Sequence, residues 1–345
     1  MDKISKKALK WLVETDTVSP NDFPAIDKFL DYLLSNFENL EIQKGAGYLW
    51  LKIKGLDSSR CTILNGHIDT VPAGDIELWD TDPFKLVASA DKSKYYGLGV
   101  TDMKAGLAVM CYVLNFTVAV KPKNDIYITV VAREEIDGQG SKNLTQNKLF
   151  KDTISSYQEK ECIILEPTNS TWWGDSHRGN IFTTVNIHSG NIEIALNKYV
   201  DFYKKIRALE QEVGENADNA KLKPTLSITN IDYRNNILEI LLDCRTTAFD
   251  HEQILKFIKS LPSYELVEDL APGVHFDSRI SRHLTNVNIA KKEFVGATDM
   301  PYFNAMDVPT VIYGPGSVEK MHLANEYLEV AQYDECLKNI IEYIC

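Results

Sequence analysis

The sequence predicts an α/β fold in which a mainly parallel sheet is covered by helices on both faces and a smaller α+β domain is inserted. Two observations support this. Short apolar segments typical of buried strands alternate with helical segments through the first half of the chain, which is the pattern of a parallel sheet. The alternation breaks after Trp172-Trp173 and resumes near Ala297, which indicates a second domain between them. A chain of 345 residues is long enough for two domains.

The first half supplies most elements of the larger domain. Apolar residues at helical spacing predict helices over residues 5–15 and 24–37. Apolar or β-branched runs predict strands at residues 48–53, 61–64, 84–88, 125–132 and 162–165. A long apolar helix runs to about Val118, with Asp102 expected at its N-terminus, where the helix dipole favours an anion.

The inserted segment has a different order of elements. It consists of strand 180–187, helix 191–211, strands 225–231 and 237–244, helix 250–260 and strand 264–268. This β-α-β-β-α-β order is that of a ferredoxin-like sandwich. We therefore expect an inserted domain over 177–285, and a catalytic domain formed by 1–176 and 286–345. In the latter, a helical stretch opens at 297–299, a strand covers 310–313 and a helix covers 331–344.

The composition excludes several classes of partner. The formal net charge is −12 and the acidic residues are scattered along the chain, which argues against nucleic acid as a partner. No apolar run approaches the length of a membrane span, and the N-terminus lacks the apolar segment of a signal peptide. The six cysteines lie far apart without a CxxC pair, so we expect reduced and mostly buried thiols in a cytoplasmic protein.

Metal-ligand residue types stand where the predicted parallel strands end, or in the loops beyond them. These residues are His67, Asp69, Asp102, Glu134, Glu135, Glu166 and the late His322. The carboxyl ends of parallel strands lie along one edge of a sheet, so these side chains are expected to meet there. Five such ligands can hold two divalent ions if one carboxylate bridges them, as in hydrolases whose two ions lie about 3.5–4 Å apart.

Each of these residues alone has an ordinary explanation as a helix cap, a solvated rim charge or a surface histidine. The collective interpretation is favoured because several strand ends each supply a ligand. Gathering that many carboxylates in one place would be costly without a cation to offset their charge.

Several motifs in this order resemble the M20 family of metallopeptidases and deacylases. They are Gly66–Pro72, Tyr96–Gly106, Glu134-Glu135 with Gly140-Ser141, Glu166–Thr168, Gly314–Gly316 and His322–Tyr327. The resemblance covers most of the catalytic domain and is weak across the inserted one. It implies a zinc-exopeptidase-like catalytic domain whose inserted domain acts as a lid.

The resemblance also implies roles for the residues. His67 and Glu166 would hold one metal ion, Glu135 and His322 the other, and Asp102 would bridge the two ions. Asp69 would orient His67, and Glu134 would be the general base that takes a proton from water and delivers it to the leaving amine. Zinc suits this mixture of imidazole and carboxylate ligands, and cobalt or manganese could substitute.

Substrate contacts are expected from a second set of residues. Arg245 resembles the family's lid arginine and could clamp the substrate's α-carboxylate, although a plain surface arginine is about as consistent with the sequence. Thr298, Asp299 and the loop that includes Gly314 and Gly316 are expected to line the pocket floor.

The chain departs from the family pattern at its inserted domain. Family members usually carry a His-Ser segment there whose histidine helps to hold the oxyanion. Here Val185–Ile192 is shorter by several residues, and either His188 is the remnant of that histidine or the loop is deleted. We favour the deletion, because His188 lies directly at the end of the predicted strand. A trimmed lid leaves both a homodimer and a monomer open.

Three functional hypotheses follow. The first is a zinc-dependent amidohydrolase of amino-acid biosynthesis, similar to acetylornithine deacetylases, that removes an acetyl or succinyl group from a small amino acid. The second is a di- or carboxypeptidase with the same chemistry. The third is a metal-bearing paralogue that binds an acyl amino acid or a partner without turnover, which the shortened loop would permit.

Overall fold

The structure is a computed structural model, and it describes residues 1–215, 223–247, 250–273, 277–294 and 296–345. Every candidate site residue predicted from the sequence lies within these ranges. Among the residues so described, no helix is both long and apolar enough to cross a membrane.

The elements follow the chain in the predicted alternation. The helices are α1 (Lys3–Glu14), α2 (Asp22–Asn36), α3 (Ala105–Ala119), α4 (Gln139–Gln146), α5 (Lys148–Ser155), α6 (Ile192–Glu215), α7 (His251–Lys259), α8 (Arg279–Asn286), α9 (Met300–Asn304) and α10 (Val330–Ile344). The strands are β1 (Ile42–Gly45), β2 (Tyr48–Ile53), β3 (Asp57–His67), β4 (Val87–Ala88), β5 (Lys94–Tyr96), β6 (Asn124–Val131), β7 (Glu159–Ile164), β8 (Trp172–Trp173), β9 (Gly179–His188), β10 (Thr225–Arg234), β11 (Ile237–Thr246), β12 (Tyr264–Leu270), β13 (Ala290–Lys291), β14 (Thr310–Ile312) and β15 (Tyr327–Glu329).

The chain divides into two compact units. The first unit comprises Met1–Asp175, His275–Glu293 and Tyr302–Cys345, and the second comprises Ser176–Val274 and Phe294–Pro301.

The main sheet of the first unit has the strand order β1-β2-β6-β3-β7-β14. Strands β6, β3, β7 and β14 run parallel to one another, while β1 and β2 add an antiparallel edge next to β6. The mainly parallel sheet predicted from the sequence is confirmed. Because β6 and β7 flank β3, the residues that follow these three strands are brought to the same edge.

Both faces of this sheet are covered, as the side chains of β2 show. Leu49 and Leu51 point into the core that α1, α2, α3 and α10 build on one face. The intervening Trp50 points to the other face, where its ring lies 5.5 Å from that of Phe150 in α5. Successive strand residues point to opposite faces, so an apolar run such as 48–51 indicates a strand buried on both sides.

The second unit is built around an antiparallel sheet of order β10-β11-β9-β12, with α6 and α7 in the β-α-β-β-α-β order expected from the sequence. Alternate residues of β11, Leu238, Ile240 and Leu242, are buried against apolar residues of the helices such as Ile206 and Ile254.

Helix α8 lies in the first unit, although most of its residues fall within 177–285, the range expected for the inserted domain, and no helix was predicted from the sequence there. Its residues Ile280 and Leu284 are fully buried in the first unit's core. The N–H of Ile280 also donates to the buried carboxylate of Glu161, at 3.2 Å. The apolar spacing of this short helix carries no information about which core receives it.

A small sheet of order β15-β5-β4 also belongs to the first unit. The strand predicted at 84–88 was mostly wrong, because pairing is confined to Val87–Ala88. Strand β15 follows the loop that bears His322 and pairs with β5, which directly precedes the loop that bears Asp102. Strands of two or three residues are too short to show a periodic pattern.

The cysteines form no disulfide, and each of the six lies among the described residues. Five of them are buried and Cys345 is partly exposed, as expected from the sequence.

Candidate metal centre

The predicted ligands meet at the carboxyl edge of the main sheet. His67 is the last residue of β3, Glu134 and Glu135 follow the end of β6, and Glu166 follows the end of β7. Loops outside the sheet add Asp102 and His322. We use the name carboxylate–imidazole cluster for His67, Asp102, Glu134, Glu135, Glu166 and His322.

His67 lies at the centre of three carboxylates. Its Nε2 is 3.2 Å from Oδ1 of Asp102, 3.4 Å from Oε1 of Glu166 and 3.9 Å from Oε2 of Glu134. The imidazole is buried, with 1% of its side chain exposed.

The other ring nitrogen of His67 is bound by the main chain. Nδ1–H donates to the carbonyl oxygen of Asp69 at 2.9 Å, which leaves Nε2 to face the carboxylates. The Asp69 carboxylate is 3.6 Å from Nδ1, too far for a hydrogen bond, and its Oδ2 accepts the N–H of Glu135 at 3.1 Å instead. The structure therefore corrects the expected orienting group from the side chain of Asp69 to its carbonyl.

Asp102 faces both imidazoles of the cluster. Its Oδ1 is nearest to His67 and its Oδ2 lies 3.2 Å from Nε2 of His322. His322 also contacts Glu135, with Nε2 3.0 Å from the carboxylate, and 43% of the His322 side chain is exposed. A carboxylate with one oxygen toward each of two imidazoles has the arrangement that a bridging ligand needs.

The backbone at Asp102 differs from the expectation that this residue begins a helix. Helix α3 begins at Ala105, and Asp102 has φ −119° and ψ 98°, outside the helical region. The N–H of Asp102 is bound by a side chain, as described below.

Two overlapping sets of ligand atoms are close enough to hold a metal ion. One set comprises His67, Asp102 and Glu135, and the other comprises His67, Glu134 and Glu166, with the ligand atoms of each set within 4.8 Å of one another.

Burial and the charge of Asp102 raise the pKa of two glutamates in the cluster, while the pKa of Asp102 itself is lowered. Burial, followed by the charge of Asp102, raises the pKa of Glu166 to about 8 and also raises that of Glu135. Burial has the same tendency at Asp102, but hydrogen bonds from His322 and His67 outweigh it and hold the pKa of Asp102 below its usual value.

The imidazoles show the complementary effect. Burial alone would lower the pKa of His67, but the charge of Glu166 and the hydrogen bond to Asp102 raise it well above its usual value. Hydrogen bonds to Asp102 and Glu135 raise the pKa of His322 to about 10. The protein thus favours positive charge throughout the cluster, and this donor set fits a pair of divalent cations.

The two predicted glycines of the first unit pack against residues that adjoin cluster members. A Cβ on Gly314 would lie 2.3 Å from the carbonyl oxygen of Leu165, next to Glu166. Gly316 has φ +97°, and a Cβ there would lie 2.4 Å from Oγ1 of Thr101, next to Asp102. Contact of these glycines with a substrate stays a prediction.

The other predicted substrate residues lie in the second unit. Arg245, in β11, has Nε 2.9 Å from Oδ1 of Asp243. Thr298 and Asp299 are buried just before α9, and Thr298 Oγ1 accepts the N–H of Met300 at 3.2 Å. His188 is the exposed last residue of β9. Their roles toward a substrate stay predictions.

A parallel sheet whose carboxyl edge gathers two imidazoles and several largely buried carboxylates is the arrangement of a metal-dependent hydrolase. The sequence model of peptidase family M20/M25/M40 matches residues 63–345. This chain belongs to that family, which confirms the resemblance carried by its motifs.

Named relatives match over nearly the whole chain. An acetylornithine deacetylase of Buchnera aphidicola subsp. Acyrthosiphon pisum (strain Tuc7) is 28% identical over 383 residues, covering 96% of this chain and 94% of that relative. A succinyl-diaminopimelate desuccinylase of Orientia tsutsugamushi (strain Ikeda) is 27% identical over 394 residues, covering 99% of this chain and 95% of that relative. The chain is a metal-dependent amide hydrolase.

Solved structures agree on the fold. The M20 family metallo-carboxypeptidase Sso-CP2 from Sulfolobus solfataricus matches with a TM-score of 0.74 at 14% identity, covering 99% of this chain and 98% of that one.

Proposed function

We propose that this protein removes an N-acyl group, acetyl or succinyl, from a small amino acid. The carboxylate–imidazole cluster is the observation that carries the proposal, because it supplies ligands for metal ions and a carboxylate beside them. The names of the relatives, a deacetylase and a desuccinylase, support this class of substrate.

We assign His67 and Glu166 to one metal ion, Glu135 and His322 to the other, and Asp102 to both. Zinc is the metal that this mixture of imidazole and carboxylate ligands suits best. When bound, such a pair supplies Lewis-acid polarisation of the scissile carbonyl and lowers the pKa of water.

Glu134 is the general base in this proposal. Its side chain is largely buried, with 12% exposed, and its Oε2 lies 3.9 Å from the central imidazole of His67. In that position it takes a proton from the attacking water and returns it to the nitrogen of the leaving amine. The carbonyl of Asp69 keeps the Nδ1 proton of His67 in place, so Nε2 presents its lone pair to the centre.

Arg245 is the proposed partner of the substrate's α-carboxylate, through the two-pronged contact that a guanidinium makes with a carboxylate. In the structure its guanidinium contacts Asp243 of the same strand, with Nε 2.9 Å from Oδ1, so a substrate carboxylate would have to share or replace this contact.

The substrate assignment is tested with the purified, zinc-loaded protein. We expect turnover of N-acetylornithine or N-succinyl-diaminopimelate and little cleavage of a dipeptide panel. Clear cleavage of dipeptides with no turnover of any N-acyl amino acid would replace this assignment with a peptidase.

The second candidate is a paralogue within this hydrolase family that binds metal and an acyl amino acid but has lost turnover, and the short connection between β9 and α6 favours it. Strand β9 ends at His188 and α6 begins at Ile192, which leaves little room for an oxyanion-binding loop. The presence of Glu134 argues against this candidate, because a protein that only binds its ligand has no need of a general base beside its metals.

Glu134→Gln separates these two candidates. We expect the variant to lose turnover while its metal content stays near that of the wild type. The control is Glu159→Gln, an exposed glutamate at the opposite end of β7 from Glu166, which should retain activity. A wild type that binds zinc and acyl amino acids without any turnover would establish the binding protein instead.

We also propose a cytoplasmic location, supported by the absence of disulfides among the six cysteines. The choice between homodimer and monomer is to be decided by sedimentation of the zinc-loaded protein.

A further inference from the structure

A buried carboxylate outside the cluster holds the backbone of the loop that carries Asp102. Glu326 is 2% exposed. Its Oε2 accepts the N–H of Gly99 at 2.8 Å, and its Oε1 accepts the N–H groups of Thr101 at 2.7 Å and Asp102 at 3.1 Å.

These contacts account for how Asp102 is held outside a helix. The residues before α3 do not form regular helical hydrogen bonds at Asp102, so its N–H needs another acceptor. A carboxylate is a strong acceptor for main-chain N–H groups, and three such bonds fix this short segment more firmly than one would.

The same residue ties this loop to the segment that carries His322. Glu326 lies four residues after His322, and its own carbonyl oxygen accepts the N–H of Gly97 at 3.3 Å. The carbonyl oxygen of the next residue, Tyr327, accepts a hydrogen bond from the hydroxyl of Thr101 at 3.1 Å. The two loops are therefore joined at one buried point, and beyond it His322 and Asp102 meet at 3.2 Å.

We propose that Glu326 is a positioning residue that sets Asp102 and His322 at the separation needed to share a metal ion. The inference rests on the proposed metal centre, and it adds a residue that touches neither substrate nor metal. Both carboxylate oxygens of Glu326 accept hydrogen bonds from main-chain N–H groups. A glutamine at this position would place its NH₂ group, a donor, against at least one of these N–H donors, and that hydrogen bond would be lost.

The test compares Glu326→Gln with Glu329→Gln. Glu329 is a matched control, because it lies three residues further along, in β15, and its side chain is 40% exposed. Metal content per chain is measured by mass spectrometry after dialysis against a weak chelator, and zinc affinity by competition with a chromophoric chelator.

We expect Glu326→Gln to bind at least one of its two zinc ions about 10–100-fold more weakly, the usual effect of removing a group that orients a metal ligand. Glu329→Gln should match the wild type. Circular dichroism and urea unfolding of the metal-free proteins show how much of each is folded, so that affinity is compared between folded molecules.

If folded Glu326→Gln binds two zinc ions with wild-type affinity, the proposal is overturned. If that variant does not fold, Glu326→Asp takes its place, because it keeps the charge and draws the carboxylate back by one methylene. Failure of both variants to fold would also overturn the proposal, since Glu326 would then serve general stability.

The outcome is distinguishable from that of the proposed function. A wild type that binds two zinc ions but cleaves no amide contradicts the proposed function and leaves the role of Glu326 intact. If the wild type is active and its Glu326→Gln variant retains both metal ions, the proposed function stands and the positioning role of Glu326 is contradicted.

Discussion

The orientation of His67 depends on a main-chain oxygen. The carbonyl of Asp69 accepts the ring N–H at 2.9 Å, whereas the carboxylate of the same residue lies 3.6 Å away. That carboxylate binds the N–H of Glu135 instead, so Asp69 fixes two members of the cluster through two different groups.

Asp69→Asn is therefore predicted to be mild. The substitution leaves the carbonyl in place and its amide oxygen can still accept the Glu135 N–H, so zinc affinity should stay within a few-fold of wild type. Competition with a chromophoric chelator measures it. A loss of about 10–100-fold would show that the carboxylate, not the carbonyl, governs the imidazole.

At this scale the sequence was informative about which residue types meet, but not about which atoms touch. His67, Glu134 and Glu166 could be placed together because each follows a strand of a parallel sheet. The choice between the carbonyl and the carboxylate of Asp69 depends on side-chain torsion angles that no spacing encodes. Glu326 is part of the motif His322–Tyr327, but only the fold shows that its carboxylate accepts a hydrogen bond from the N–H of Asp102.

Among the elements, the close approach of β14 and β7 positions Glu166. The N–H of Gly314, just after β14, donates to Thr168 Oγ1 at 3.2 Å, and its carbonyl accepts the N–H of Thr168 at 3.1 Å. There is no room for a side chain, because a Cβ would lie 2.3 Å from the Leu165 carbonyl oxygen.

Gly314→Ala is expected to lower the free energy of unfolding by about 1–3 kcal/mol, the usual range for overpacking a buried site. Urea unfolding measures it. Gly190→Ala is the control, since a Cβ there meets nothing within 4 Å, and its effect should stay within about 0.5 kcal/mol. Equal effects of the two substitutions would contradict the close approach.

The far end of β6 is held by the buried carboxylate of Asp125. It accepts the N–H of Gly55 at 2.8 Å and the hydroxyl of Tyr157 at 2.7 Å, and it pairs with Lys52 at 2.7 Å. Burial opposes ionisation, but the contact with Lys52 and these hydrogen bonds outweigh it and hold the pKa of Asp125 below its usual value.

A carboxylate whose pKa is lower in the folded than in the unfolded state stabilises the folded protein at pH values above the unfolded pKa of about 3.9. This stabilisation is lost as the pH falls through the pKa of the folded state. Asp125→Asn should thus cost about 1–3 kcal/mol at pH 7 and progressively less below about pH 4. Urea unfolding of both metal-free proteins at several pH values measures the difference. A cost that is the same at all pH values would contradict the ionised pairing.

Elements long enough to show a pattern were predictable, and short ones were not. The apolar runs of β3 and β6 indicate strands buried on both faces, and α6 shows helical spacing over many residues. Strands β5 and β15 have three residues each and are defined by pairing between distant parts of the chain. Helix α8 has only eight residues and was not predicted from the sequence, and its apolar residues do not indicate which unit covers them.

For the whole molecule, the concentration of carboxylates at one sheet edge opposes folding in the absence of a cation. Burial and the charge of Asp102 raise the pKa of Glu166 to about 8, which shows that the ionised cluster is unfavourable by itself. A cation that binds only the folded state stabilises it by mass action.

Removal of metal is therefore expected to abolish activity and lower the Tm, and zinc should restore both. Free zinc at one hundred times its Kd would add about 2.7 kcal/mol to the free energy of unfolding. Differential scanning calorimetry with chelator, and then with zinc, makes the measurement, and Mg²⁺ serves as the control ion. A Tm that responds to neither chelator nor zinc would contradict a metal centre in this cluster.

The two imidazoles differ sharply in their access to water. The His67 side chain is buried, whereas nearly half of the His322 side chain is exposed to solvent. Ions seated beside them would thus leave at unequal speeds, the one beside His322 first. Short exposure to a competing metal would then yield molecules carrying two different elements, and a coloured ion such as Co²⁺ would report on the outer half of the pair alone.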